Sequence, residues 1–181
     1  YGYGGVDTLS YKHATAGVTV NLATLTSQNT VGAGADTISG FENLSGSAFN
    51  DTLTGDGNAN VMEGLAGNDT INGAGGTDTL TYKNATAGVT VNLATLTSQN
   101  TVGAGTDTIS NFENLTGSAF NDTLTGTTGN NIIEGGGGND TINAQGGTDT
   151  LTYANAAGGI TLNLATATAQ NTGGAGTDTV S

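Results

Sequence analysis

The sequence predicts an all-β chain wound as a parallel β-solenoid, with two sheets, about 18 residues per coil and a thin apolar core. Three observations lead there. A 71-residue unit repeats, marked by Tyr11, Tyr82 and Tyr153, and its two whole copies are roughly four-fifths identical. A nine-residue period runs inside that unit. Finally, the chain has 32 glycines and no Pro, Cys or Trp, with 34% apolar and 5% aromatic residues. That is lean for an ordinary two-layer core, and a disordered chain needs no strict period.

Taken in order, residues 1–10 read as the end of one copy, 11–81 and 82–152 as whole copies, and 153–181 as a partial one. Together they predict a single continuous solenoid. Within a copy, Gly46, Gly55, Gly64 and Gly73 are nine apart, as are Gly117, Gly126 and Gly135. The nonapeptide reads Gly-x-(Ala/Gly)-x-x-Asp-Thr-(Leu/Ile)-x. Its glycine-rich half suits a tight turn, and its second half a brief strand with one apolar side chain inward. The inward row is Leu53, Met62, Ile71 and Leu80. It continues through Val89, a loose position near residues 97–99, Ile109, Leu115, Leu124, Ile133, Ile142 and Leu151. This predicts eight half-turns, or about four coils, per 71 residues. At about 4.8 Å per coil the unit advances roughly 19 Å. Residues 88–102 carry extra residues and a longer alternating strand, while NFENLT reads as a shortened half-turn.

Fifteen acidic residues face two basic ones, for a net charge of −13. Nucleic acid and anionic membranes are poor partners for such a chain, since both need basic patches. No apolar run approaches the roughly 20 residues of a membrane helix, so no membrane insertion is expected, and no signal peptide is read at Tyr1. Without Cys there is no disulfide framework or thiolate metal site. His13 is replaced by Asn84 and Asn155 in the other copies, and Lys12 and Lys83 by Ala154, so all three read as surface residues. No Ser/His/Asp or Cys/His set can be assembled, and no enzyme activity is expected.

The turns carry the chemistry. Half-turns two apart share one side of a solenoid, so Asp51 falls beside Asp69 and Asp122 beside Asp140, with Asp36 and Asp107 joining these columns. The other side carries Glu42, Asn60 and Asp78, then Glu113, Asn131 and Asp149. Asp7 and Asp178 are expected to lack same-side neighbours. Carboxylates at coil spacing repel one another, and two basic residues cannot neutralise them. A hard divalent cation can. Paired carboxylates with the carbonyls of glycine-rich turns form the flexible all-oxygen shell that Ca²⁺ prefers, whereas Mg²⁺ demands tighter octahedral geometry.

The nonapeptides resemble the GGxGxDxUx repeats of RTX (hemolysin-type calcium-binding) proteins. The resemblance is carried by Gly64-Leu-Ala-Gly67-Asn-Asp69, by Gly135-Gly136-Gly137-Gly138-Asn-Asp140 and by Gly146-Gly147-Thr-Asp149-Thr-Leu151. It implies a calcium β-roll, each ion held by the Asp of two same-side turns and by backbone carbonyls, such as those around Gly64, Gly67, Gly135 and Gly138. It also implies bacterial type I secretion, with folding outside the cell once calcium is met. Three departures stand out: Phe49 and Phe120 replace the second Gly, Asn60 and Asn131 replace Asp, and residues 82–116 hold one clear calcium turn, at Asp107. Some sites are therefore expected to be weak, and Asp69 and Asp140 to matter more than Asn60 and Asn131.

The expected task is structural: a secreted or cell-surface filament, surface-layer element or adhesin stalk that binds calcium and associates end to end or with surface components. One alternative is the calcium-folding export module of a larger secreted enzyme. The other is an ice- or glycan-binding solenoid, which the outward Thr residues suggest. Mixing of Thr with Ser39, Asn72 and Glu63 weakens that last alternative.

Overall fold

The computed structural model describes residues 1–181. It contains short strands and no helix, hence no helix long and apolar enough to cross a membrane. The first copy and its preceding tail hold β1 (Thr8–Ser10), β2 (Thr19–Asn21), β3 (Gln28–Val31), β4 (Gly34–Asp36), β5 (Asn43–Ser45), β6 (Thr52–Thr54), β7 (Val61–Glu63), β8 (Thr70–Asn72) and β9 (Thr79–Thr81). The second holds β10 (Thr90–Asn92), β11 (Gln99–Asn100), β12 (Thr106–Ser110), β13 (Asn114–Thr116), β14 (Thr123–Thr125), β15 (Ile132–Glu134), β16 (Thr141–Asn143) and β17 (Thr150–Thr152). The partial copy adds β18 (Gln170–Gly173) and β19 (Gly176–Val180).

These strands build two faces of a parallel β-roll. Face A is one seven-stranded sheet, β1-β5-β7-β9-β13-β15-β17, running through both copies. Its register stacks Leu44 on Met62, Met62 on Leu80, Leu80 on Leu115 and Leu115 on Ile133. Face B is two successive parallel ladders, β2-β6-β8-β12 and β10-β14-β16-β19. There Leu53 stacks on Ile71 and Ile71 on Ile109, and above the break Val91 stacks on Leu124 and Leu124 on Ile142. The inward row read from the nonapeptides is thus the core. Leu53, Met62, Ile71, Leu80 and Leu124 are fully buried, each worth about 1.5–3 kcal/mol of transfer free energy.

One expected half-turn is placed differently. The segment near residues 97–99 does not reach face A. The Asn92 N–H donates to Gln99 Oε1 at 2.8 Å, and Gln99 Nε2 donates to the Asn92 carbonyl at 3.0 Å, closing this stretch into a loop. The chain then turns back as the antiparallel pair β11–β12. The 71-residue unit 82–152 therefore gives face B four strands (β10, β12, β14, β16) but face A three (β13, β15, β17). Four coils hold for face B only. Sheet B breaks where β12 ends one ladder and β10 starts the next, and Tyr82, Ala104 and Phe112, in the chain segments flanking these strands, are buried.

The outward rows also differ from expectation. On face B, Thr19, Thr52, Thr70 and Thr108 form an unmixed ladder, as do Thr90, Thr123, Thr141 and Thr179. Asn72 belongs to the neighbouring column, and Glu63 to face A. Phe49 and Phe120, which stand in place of the second Gly, are about half exposed.

Candidate metal sites in the turns

Each turn carboxylate precedes a strand, so strand stacking stacks the carboxylates. Along the edge of face B, the Asp51 N–H donates to Asp69 Oδ1 at 2.9 Å and the Asp69 N–H to Asp107 Oδ1 at 3.0 Å. The next unit repeats this with Asp122, Asp140 and Asp178, at 2.9 and 3.0 Å. The expected pairs Asp51/Asp69 and Asp122/Asp140 are therefore neighbours, and Asp178 has the neighbour it was expected to lack. Asp36 does not join Asp51. The Val18 N–H occupies that place, donating to Asp51 Oδ1 at 2.7 Å, and the Val89 N–H does the same for Asp122. Because β2 and β10 begin new ladders, each column restarts with every unit.

The edge of face A carries an unbroken column. The Asp7 N–H donates to Glu42 Oε2 at 2.9 Å, Asn60 N–H to Asp78 Oδ1 at 2.8 Å, Asp78 N–H to Glu113 Oε2 at 2.9 Å, and Asn131 N–H to Asp149 Oδ1 at 2.9 Å. Asp7 thus has a same-side neighbour, and Glu42 and Glu113 act as ladder members with a longer stem. Asn60 and Asn131 bridge to the coil below, their Nδ2 atoms donating to the carbonyls of Glu42 at 2.8 Å and Glu113 at 2.6 Å. Their amide oxygens accept the N–H of Asp56 and Thr127, both at 2.8 Å, so the oxygen assigned to a metal from the sequence is already engaged.

The carboxylates on the face B edge differ in what remains free. Asp51 Oδ2 accepts the Ser47 N–H at 2.6 Å, and its Oδ1 accepts the Ser47 hydroxyl at 2.8 Å. Ser118 serves Asp122 in the same way. Asp107 Oδ2 accepts the Tyr82 hydroxyl at 3.1 Å, with the Thr101 hydroxyl also at 3.1 Å. Only Asp69 and Asp140 keep a buried Oδ2 without a donor, a feature they share with Asp7 at the start of the other column. Burial pushes both carboxyls up to about 7. The hydrogen bonds from Asp51 and Asp122 oppose the rise, while the charges of neighbouring Asp residues add to it. Burial also raises Asp78, Asp107 and Asp122.

A divalent cation fits these residues. An ionised buried oxygen without a partner is costly, and a hard cation would satisfy it. The surrounding backbone is shaped for the carboxylate: a Cβ at Gly64 would collide with Asp69 Oδ2, and one at Gly135 with Asp140 Oδ2. Gly67 and Gly138 have φ of 130° and 110°, in the region that favours glycine, and pass close to the backbone of Phe49 and Phe120. No group of three or more acidic or His side chains converges at one point. The remaining oxygens of a six- to eight-fold shell must therefore come from turn carbonyls and water.

Ser47, Ser118, Tyr82 and Thr101 were not singled out by the sequence reading. Glu63, read from the sequence as an outward residue, and Glu134 are buried, and their carboxylates accept Asn84 and Asn155 side-chain donors at 2.8 Å. The recurrence of Tyr11, Tyr82 and Tyr153 at the 71-residue stride was the available signal.

Residues 45–80 and 116–151, each spanning the length of four nonapeptides, match the family model of the RTX calcium-binding nonapeptide repeat. A comparison with curated proteins finds no match to the chain. These two segments, where Asp69 and Asp140 hold their unpartnered oxygens, are similar to RTX calcium-binding nonapeptide repeats, and Ca²⁺ is the ion such repeats bind.

Proposed function

We propose that the chain is an extracellular structural segment, a filament, surface-layer or adhesin stalk, that folds on binding Ca²⁺ after secretion. Asp69 and Asp140 are its principal ligands, supported by the turn backbone around Gly64, Gly67, Gly135 and Gly138, with Asp78 and Asp149 contributing on the other edge. The observation that carries the structural role is the continuity of face A. Its seven strands and its Asp7-to-Asp149 column pass through the boundary between copies without a break. Further copies can thus extend the rod in the same register, as stacked repeat arrays do. Self-association end to end would extend the same parallel ladder that joins the copies.

Electron microscopy and light scattering, in millimolar calcium and in chelator, test this role. Rods that lengthen with protein concentration in calcium and vanish in chelator are expected. A compact particle of unchanging size in calcium would remove the structural reading.

A further inference from the structure

Two kinds of turn place protein hydrogen-bond donors where a cation could otherwise bridge oxygens. The first lies at the junction between 71-residue units. Asp107 receives the Asp69 N–H on Oδ1, and on Oδ2 the hydroxyl of Tyr82, a side chain only 3% exposed. The Thr101 hydroxyl lies 3.1 Å from that oxygen and 2.9 Å from the Gly105 carbonyl. The same cluster recurs around Asp178, where the Tyr153 and Thr172 hydroxyls both sit 3.0 Å from Oδ2. One coil below, Asp69 and Asp140 have the same carboxylate with no donor on Oδ2.

The second kind is Asn60. Its Nδ2 donates to the Glu42 carbonyl at 2.8 Å and lies 3.3 Å from Asp56 Oδ1. Calcium joins oxygens by placing positive charge between them. A fixed amide or hydroxyl proton does the same at short range, and it is not lost when calcium is low.

We propose that the Tyr82–Thr101–Asp107 cluster and Asn60 are ion-free bridges between coils, so that calcium is taken at turns such as that of Asp69 and not at Asp107 or Asn60. This rests on the calcium reading above. It makes the face B calcium column segmented: each ion-binding block ends at a hydroxyl latch, at the break between β12 and β10. The copies are then held at their junctions by side chains that need no ion.

Calcium counting by calorimetry and equilibrium dialysis on the full chain tests the assignment. Asp107→Asn should bind as many ions as the parent, and Asp69→Asn about one fewer. Asn60→Asp should bind about one more, because loss of the amide leaves three oxygen groups facing one another. If Asp107→Asn does not fold, Asp178→Asn repeats the test in the last coil, where less structure depends on it. Loss of an ion from either latch variant, or no gain from Asn60→Asp, would overturn the proposal. Absence of calcium binding by the parent would instead overturn the calcium reading on which it stands.

Discussion

Replacing Asp69 and Asp140 together by Asn is expected to raise the calcium midpoint of folding by about tenfold or more, and yet to stabilise the calcium-free chain. The two effects have one cause. Each carboxylate holds a buried Oδ2 without a donor. With calcium bound, that oxygen is a charged ligand at the centre of its column. Without calcium it is an uncompensated buried charge, whose cost is on the order of a few kcal/mol. Asn keeps the Oδ1 that accepts the Asp51 or Asp122 N–H and removes the charge. Calcium titrations followed by circular dichroism, with the residual β signal of parent and variant in chelator, measure both signs. Asn60→Ala and Asn131→Ala should shift the calcium midpoint less. Equal shifts from all of these variants would mean that the free oxygens do not define the sites.

Acid is expected to substitute partly for calcium. In the folded chain, Asp69 and Asp140 are pushed up to about 7, mainly by burial, whereas an unfolded Asp titrates near ~3.9. The folded form therefore binds more protons between those values. The stabilisation from protonation is fully present below the unfolded value and is lost as pH rises through about 7. In chelator the chain should hold more β signal at pH ~5 than at pH ~8. With calcium present the order reverses, because the ion needs the ionised form and displaces the protons. Calcium binding near pH ~6 should thus release protons, measurable as a dependence of calorimetric heat on the buffer's ionisation enthalpy. Less β signal in chelator at pH ~5 than at pH ~8 would contradict the burial of these carboxylates.

The nonapeptide stretches were legible because their period is local. Gly46 to Leu80 and Gly117 to Leu151 alternate turn and strand every nine residues, and one apolar residue per strand has one place to go. That was enough to place Leu53, Met62, Ile71 and Leu80 in the core and Asp51 beside Asp69. Residues 93–107 obey no such period. Counting onward at nine residues put a half-turn near 97–99, whereas Gln99 ties the loop back to Asn92. That bond depends on a side-chain amide meeting a backbone pair, which hydropathy does not encode.

The column assignments failed at the same place: once β10 begins a new ladder, Val18 and Val89 replace an Asp beneath Asp51 and Asp122. Nor could the sequence show which carboxylate oxygens remain free. That depends on donors such as Tyr82, 25 residues from Asp107, which become neighbours only after the coil closes. The nonapeptide pattern treats Asp51, Asp69 and Asp107 alike, while the fold satisfies the first with Ser47 and the last with Tyr82 and leaves only Asp69 with a free oxygen.

Calcium is expected to complete this fold. With a net charge of −13 and a thin core made of one inward row from each face, the chain has little to offset carboxylate repulsion without the ion. Far-ultraviolet circular dichroism at neutral pH, first in chelator and then through a calcium titration, tests it most directly. The chain should be largely unfolded in chelator and gain its full β signal cooperatively by millimolar calcium. A complete β spectrum in chelator, unchanged by added calcium, would show that the fold needs no ion.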